Sequence, residues 1–80
     1  MRRKRPALII TFSSTTDAMA VEAHCQAQGL PGRLIPVPRE ITAGCGLAWK
    51  TDPGGEETFA RALTDLGVRW EAMQVLELWG

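Results

Sequence analysis

Two predicted helices, separated by short strand-like segments, constrain the fold of this chain more than any other feature. The clearer helix lies between Glu56 and Gly67, where four apolar residues recur at i, i+3, i+4 and i+7: Phe59, Ala62, Leu63 and Leu66. The Asp-Pro-Gly-Gly run at residues 52–55 breaks the chain before this helix, and Gly67 is a typical helix end. This spacing predicts a helix that packs one apolar face on a neighbouring layer.

The other helix is predicted to begin in the polar cluster at residues 13–16. Ser14 and Asp17 have the S-x-x-D spacing of a helix cap, and Gly29 marks the end. We expect two adjoining apolar stripes along this helix. The first comprises Ala18, Val21 and Cys25, and the second comprises Met19, Ala23 and Ala27.

Four segments have the composition of strands: residues 8–12, 33–37, 47–51 and a stretch within 68–79. The order strand, helix, strand, strand, helix, strand predicts an α+β fold of the ferredoxin-like β-α-β-β-α-β type. We expect one antiparallel four-stranded sheet with both helices on one face. Residues 7–80 would form a single domain, preceded by a basic N-terminal tail at residues 1–6.

Length and charge narrow the classes of partner. The 80 residues include nine basic and nine acidic side chains, so the formal net charge is zero. This balance argues against binding to nucleic acid or to an anionic membrane, and the basic run at residues 2–5 is interpreted as a solvated tail. A chain of this size has a small core, so a homodimer formed through an edge strand or the Trp79 end is expected.

The apolar run at residues 7–12 is too short for a signal-peptide core or a membrane span. Two cysteines without a signal sequence do not suggest a disulfide scaffold, so we expect a reducing, cytoplasmic environment. In that environment a cysteine is expected to remain a free thiol.

Cys45 is the main candidate for chemistry, because Gly44 and Gly46 flank it in the loop between the second and third predicted strands. Glycine on both sides leaves the sulfur open to a ligand or partner. The predicted topology brings this loop near Ser14, Thr15 and Thr16, at the positive end of the first helix. That helix end and Arg39 on the same loop would favour the thiolate form of Cys45.

The remaining candidates point to packing. Cys25 lies late in the first helix, about 15 Å from the proposed site at 1.5 Å per residue, and is expected to be buried. His24 beside it has no partners for a catalytic triad. The two cysteines and one histidine lack the spacing of a zinc site, and no glycine pattern matches a phosphate loop. We therefore expect neither a metal nor a cofactor.

Several segments together resemble a small bacterial family of selenium/sulfur carrier-like proteins, whose own function is a proposal. They are residues 9–12, 14–18, 31–41 and 44–48, and the most specific is P-x-P-R-E-I-x-x-G-C-G at residues 36–46. The resemblance implies a functional loop containing Pro38, Arg39, Gly44, Cys45 and Gly46. It also implies that Cys45 carries sulfur or selenium between donor and acceptor proteins. The basic residues before Pro6 depart from the family pattern.

Two other functions remain open at this point. The chain could instead be a non-catalytic module that binds a small ligand or a protein, with Cys45 in a structural role. A thiol-dependent redox enzyme is less favoured, because no second cysteine stands in C-x-x-C spacing to Cys45. A carrier needs no general base of its own, so the sequence favours a carrier over an enzyme.

Overall fold

The computed structural model describes residues 3–39, 41 and 46–79 of the chain. It contains four strands and two helices in the predicted order. They are β1 (Lys4–Thr11), α1 (Thr15–Gln28), β2 (Arg33–Pro36), β3 (Leu47–Thr51), α2 (Glu56–Leu66) and β4 (Ala72–Trp79).

The strands form one sheet in the order β2-β3-β1-β4, and every neighbouring pair is antiparallel. Each helix connects two strands that are separated in the sheet by a third strand, as in a ferredoxin-like fold. The predicted fold class is therefore confirmed. Registers that matter for the site are Thr11 opposite Ala48 between β1 and β3, and Arg33 opposite Lys50 between β2 and β3.

The first strand begins earlier than the sequence predicts. The sequence predicts a solvated tail that includes residues 4–6, but these residues belong to β1. They pair with β4, with Lys4 opposite Trp79 and Arg5 opposite Leu78. Basic residues and Pro6 carry no apolar alternation, so nothing local indicates a strand there. The pairing with β4, a contact distant in sequence, sets this boundary.

Both helices have the predicted ends. Ser14 caps α1, because its hydroxyl accepts a hydrogen bond from the Asp17 amide at 3.2 Å. Gly29 and Gly67 end α1 and α2 in the left-handed conformation, with φ of 69° and 78°. The first turn of α2 carries two acidic residues, which suit the positive end of the helix dipole.

Only one of the two stripes predicted for α1 is buried. Ala18, Val21 and Cys25 lie in the core, whereas Met19, Ala23 and Ala27 are exposed. In α2, Phe59 and Leu63 are buried, but Leu66 is exposed at the end of the helix. A helix that packs on a single flat sheet buries only one narrow face, so the second stripe of α1 has no layer to contact.

The main core lies between the helices and one face of the sheet. Alternate residues of β1 contribute Leu8 and Ile10, and β3 contributes Trp49. Both helices pack on this set, which confirms that they lie on the same face. The buried members are Leu8, Ile10, Phe12, Ala18, Val21, Cys25, Trp49, Phe59, Leu63 and Val68.

The opposite side of the sheet, which we call the second face, also buries apolar side chains. Ala7, Ile9 and Ala48 form a small cluster there, and each is almost fully buried. Residues of β2, β4 and the β2–β3 loop pack around them: Ile35, Val37, Ile41, Leu76 and Leu78. Burial on both faces explains why β1 reads as a continuous apolar run rather than an alternating one.

Candidate functional site

The proposed site is in the loop that joins β2 to β3. Gly44 and Cys45 lie outside the described residues, as do Glu40, Thr42 and Ala43. Among the other predicted members of this loop, Pro38 is half-buried, while Arg39 and Gly46 are exposed. The structure therefore defines both ends of the loop and leaves the environment of the Cys45 thiol as a prediction.

Backbone hydrogen bonds hold both ends of the loop. The amide of Val37 donates to the carbonyl of Gly46 at 3.0 Å, which extends the β2–β3 hairpin by one pair beyond the strands. The amide of Ile41 donates to the carbonyl of Pro38 at 3.0 Å, which indicates a tight turn. Gly46 has φ of 78°, a backbone conformation that glycine adopts without strain. The residue directly after Cys45 thus redirects the chain into β3.

Two apolar side chains attach the loop to the second face. Val37 and Ile41 pack against the cluster of Ala7, Ile9 and Ala48. Neither Val37 nor Ile41 is among the site residues that the sequence predicts. An isoleucine in an otherwise polar, glycine-rich loop is the signal that indicates such an anchor.

The register of the sheet places the loop at the same end as the start of α1. Thr11 at the end of β1 lies opposite Ala48, so the first residue of β3 lies beside the segment that leads into the helix. Thr15 and Thr16 are exposed in the first turn. The prediction that this loop returns to the N-terminal end of α1 agrees with that register; the position of Cys45 within the loop is untested.

Ser14 is less available to a ligand than the sequence suggests. Its hydroxyl accepts from the Asp17 amide and also donates to the Asp17 carboxylate at 2.9 Å. That carboxylate supplies negative charge in the first turn of α1, where an anion would otherwise be favoured. Stabilisation of a thiolate at this helix end would therefore rest on the backbone amides and on Arg39.

Cys25 is placed where a thiol has little access to solvent. Its side chain lies in the main core and is 1% exposed, and burial raises the pKa of the thiol. A protonated, enclosed thiol is a poor nucleophile. The predicted packing role of Cys25 is therefore confirmed. His24, the preceding residue of α1, is half-buried.

Within the described residues, no group of three or more His, Cys, Asp or Glu side chains is arranged to hold a metal ion. Over the same part of the chain, α1 and α2 both lack the length and apolar character that a membrane crossing requires.

Comparison with known proteins identifies the family. The family model described as "Putative Se/S carrier protein-like" matches residues 7–74. The uncharacterized protein YtiA of Escherichia coli (strain K12) is 38% identical over 50 residues, which cover 61% of this chain and 59% of that protein. The chain thus aligns with about three fifths of the length of this relative. No solved structure matches. The match to the family model extends from β1 into β4, and the chain therefore belongs to the Se/S carrier protein-like family.

Proposed function

We propose that the protein carries sulfur or selenium on the thiol of Cys45, accepting the atom from a donor protein and passing it to an acceptor. The membership of the family supports a carrier role in general terms. The assignment to Cys45 rests on one observation, which is the burial of the other cysteine. Because Cys25 is enclosed in the core and its pKa is raised by burial, Cys45 remains as the thiol for the reaction.

Transfer of the outer sulfur from a donor persulfide to Cys45 requires no added oxidant. The Cys45 thiolate attacks the outer sulfur of a donor persulfide, so that a bond from Sγ to that sulfur forms. The sulfur–sulfur bond of the donor breaks, and the donor leaves as a thiolate. Attack by an acceptor nucleophile on the outer sulfur then restores the Cys45 thiolate. The selenium version has the same balance.

Flanking features of the loop support this chemistry. Gly46 is exposed, and a side chain added there would meet no atom within 4 Å outside its chain neighbours, so position 46 itself is not crowded by the described residues. Arg39 is exposed near the other end of the loop and supplies a positive charge for a thiolate. A carrier of this kind must be reached by two successive partners, and the exposure of Arg39 and Gly46 near the two ends of the loop suits that need.

Intact mass spectrometry tests the proposal. The reduced protein is incubated with a small-molecule persulfide donor, and its mass is recorded with and without a reductant. We expect wild type and Cys25→Ala to gain one sulfur atom that the reductant removes, and Cys45→Ser to gain none. A gain that persists in Cys45→Ser but disappears in Cys25→Ala would overturn the assignment.

The rate of alkylation gives a second, independent measurement. Iodoacetamide near neutral pH should label Cys45 rapidly and Cys25 only after unfolding, because a buried, protonated thiol reacts slowly. Peptide mapping after a short pulse distinguishes the two sites. Slow labelling at both positions in the folded protein would favour the alternative, a binding module in which Cys45 has a structural role.

A further inference from the structure

A cleft with several positive charges lies on the second face, at the end of the sheet away from the Cys45 loop. Its volume is about 380 Å³, and basic side chains from three different strands line it: Arg5 of β1, Arg33 of β2 and Lys50 of β3. Lys50 is four residues from Gly46 along β3, so the cleft lies roughly 13 Å from the end of the loop at 3.3 Å per residue.

The pairing registers explain why these charges meet. Arg33 lies directly opposite Lys50, and Lys50 lies opposite Ile9, a residue of the second face. Arg5 is two positions from Ala7 on β1, so it points to the same side as Ala7 and Ile9. The three cations are therefore on one face of the sheet, although they are far apart in the sequence.

The charge in the cleft is not neutralised by its surroundings. Among the described residues that line it, Asp52 is the one acidic side chain, so these residues have a net charge of +2 in a chain whose formal net charge is zero. Among the described residues, no acidic side chain forms an ion pair with Arg5, Arg33 or Lys50. Three cations that share a cleft with a single carboxylate favour an anion.

Gly32 and Arg33 line the cleft, and contacts with β3 hold the segment that contains them. The carbonyl of Pro31 accepts hydrogen bonds from Thr51 Oγ1 at 2.9 Å and from Trp49 Nε1 at 3.3 Å. Gly32, with φ of 121°, lies so close to β3 that an added Cβ would overlap the backbone carbonyl oxygen of Lys50. This close approach fixes the start of β2, and with it the position of Arg33 beside Lys50.

We propose that this cleft binds the phosphate group of a small molecule. A phosphate dianion matches a net charge of +2, and guanidinium groups such as those of Arg5 and Arg33 donate paired hydrogen bonds to phosphate oxygens. Pro6, Ala7 and Leu78 give the same cleft an apolar side, which suits the organic part of a phosphate ester. Phosphate binding in this cleft does not involve Cys45, so it is independent of the proposed carrier function.

Titration followed by NMR tests the site. Inorganic phosphate and phenyl phosphate are added separately to the ¹⁵N-labelled protein at constant ionic strength, and amide shifts are followed. We expect saturable shifts that concentrate at residues 5, 33 and 50. Tighter binding of phenyl phosphate would identify a phosphate ester as the ligand, and equal binding would identify free phosphate; both results support the site.

Charge-removing variants provide the controls. Arg33→Gln and, separately, Lys50→Gln should weaken binding by about tenfold or more, the effect of losing one hydrogen bond to a charged group. Arg61→Gln removes the same charge from an exposed position on α2, where Arg61 lies 3.8 Å from Glu57, and should leave binding unchanged. Shifts that do not saturate, or equal weakening by Arg33→Gln, Lys50→Gln and Arg61→Gln, would overturn the proposal.

Discussion

The two faces of the sheet differ in what covers them. One face is packed under α1 and α2 and contains the largest buried side chains, among them Trp49, Phe12 and Phe59. The second face buries only small or medium side chains around Ile9, and partly buried residues from strands and one loop surround them. Basic side chains occupy one end of the second face, and the candidate loop begins at the other.

The residues expected to contribute most to stability therefore lie on the helix-covered face, whereas both proposed sites lie at the ends of the second face. The helix-covered face has the area to stabilise the fold, since buried apolar surface contributes about 25 cal/mol per Å². The second face buries a smaller cluster, formed by Ala7, Ile9 and Ala48 and surrounded by partly buried side chains.

Phe59→Ala should produce the largest loss of stability. Phe59 is 2% exposed and attaches α2 to the main core, so its removal leaves a cavity and should cost about 3–5 kcal/mol. Ile35→Ala on the second face is the matched comparison and should cost clearly less, because Ile35 is only partly buried. Guanidinium unfolding followed by circular dichroism measures both. Equal losses would show that the second face contributes as much stability as the helical face.

Gly32→Ala should cost about 3 kcal/mol, which combines backbone strain at positive φ with an overlap against β3. Gly29→Ala also places a side chain at positive φ, 69°, but meets no atom within 4 Å and should cost only about 1 kcal/mol. Chemical unfolding gives the free energy of unfolding of both variants, and the difference between their losses reports the close approach of Gly32 to β3. Similar losses would contradict the close approach of Gly32 to β3.

Ser14→Ala should cost about 1 kcal/mol, because the Asp17 amide loses its capping acceptor. Ser13→Ala changes an exposed neighbour outside the helix and should be close to neutral. Thermal unfolding compares the two variants. A neutral Ser14→Ala would mean that the Asp17 carboxylate alone stabilises the helix start.

The smallest effect concerns pH. Burial raises the pKa of the Cys25 thiol, so the unfolded chain releases this proton at a lower pH than the folded protein does. Stability from this group is complete below the ordinary thiol pKa of about 8.5 and is lost as pH rises through the raised value. The unfolding midpoint of wild type should therefore fall more steeply than that of Cys25→Ala above pH of about 8.5. Parallel curves would contradict burial of Cys25.

Local signals predicted most of the fold. Three such signals are the Ser14–Asp17 cap, the glycines that end both helices and the apolar spacing in α2. Each depends only on residues close together in the sequence, so the sequence alone specifies it. The same reasoning identified β3 with its observed ends. Cys25 was correctly expected in the core, because a cysteine on the apolar face of a helix is commonly buried.

Features that depend on distant contacts could not be predicted in this way. The strand character of residues 4–6 comes from β4, more than sixty residues later in the chain. The exposure of Met19 depends on how much of α1 the sheet covers. The basic cleft requires the registers of two strand pairs, and neither Arg33 nor Lys50 has a local pattern that indicates it.

Pro6 lies in a part of β1 whose second edge is not paired with β3. The pairing of β1 with β3 covers residues 8–11 only, so the part of β1 before residue 8 has β4 on one side and an open edge on the other. An open strand edge can recruit a strand from another molecule. Pro6 has no amide hydrogen to donate, and Arg5 beside it is charged, which makes this edge a poor template for self-association. Residues 4–6, which have no strand-like pattern, thus extend β1 beyond its pairing with β3 and give that extension an edge that is poorly suited to pairing with another strand.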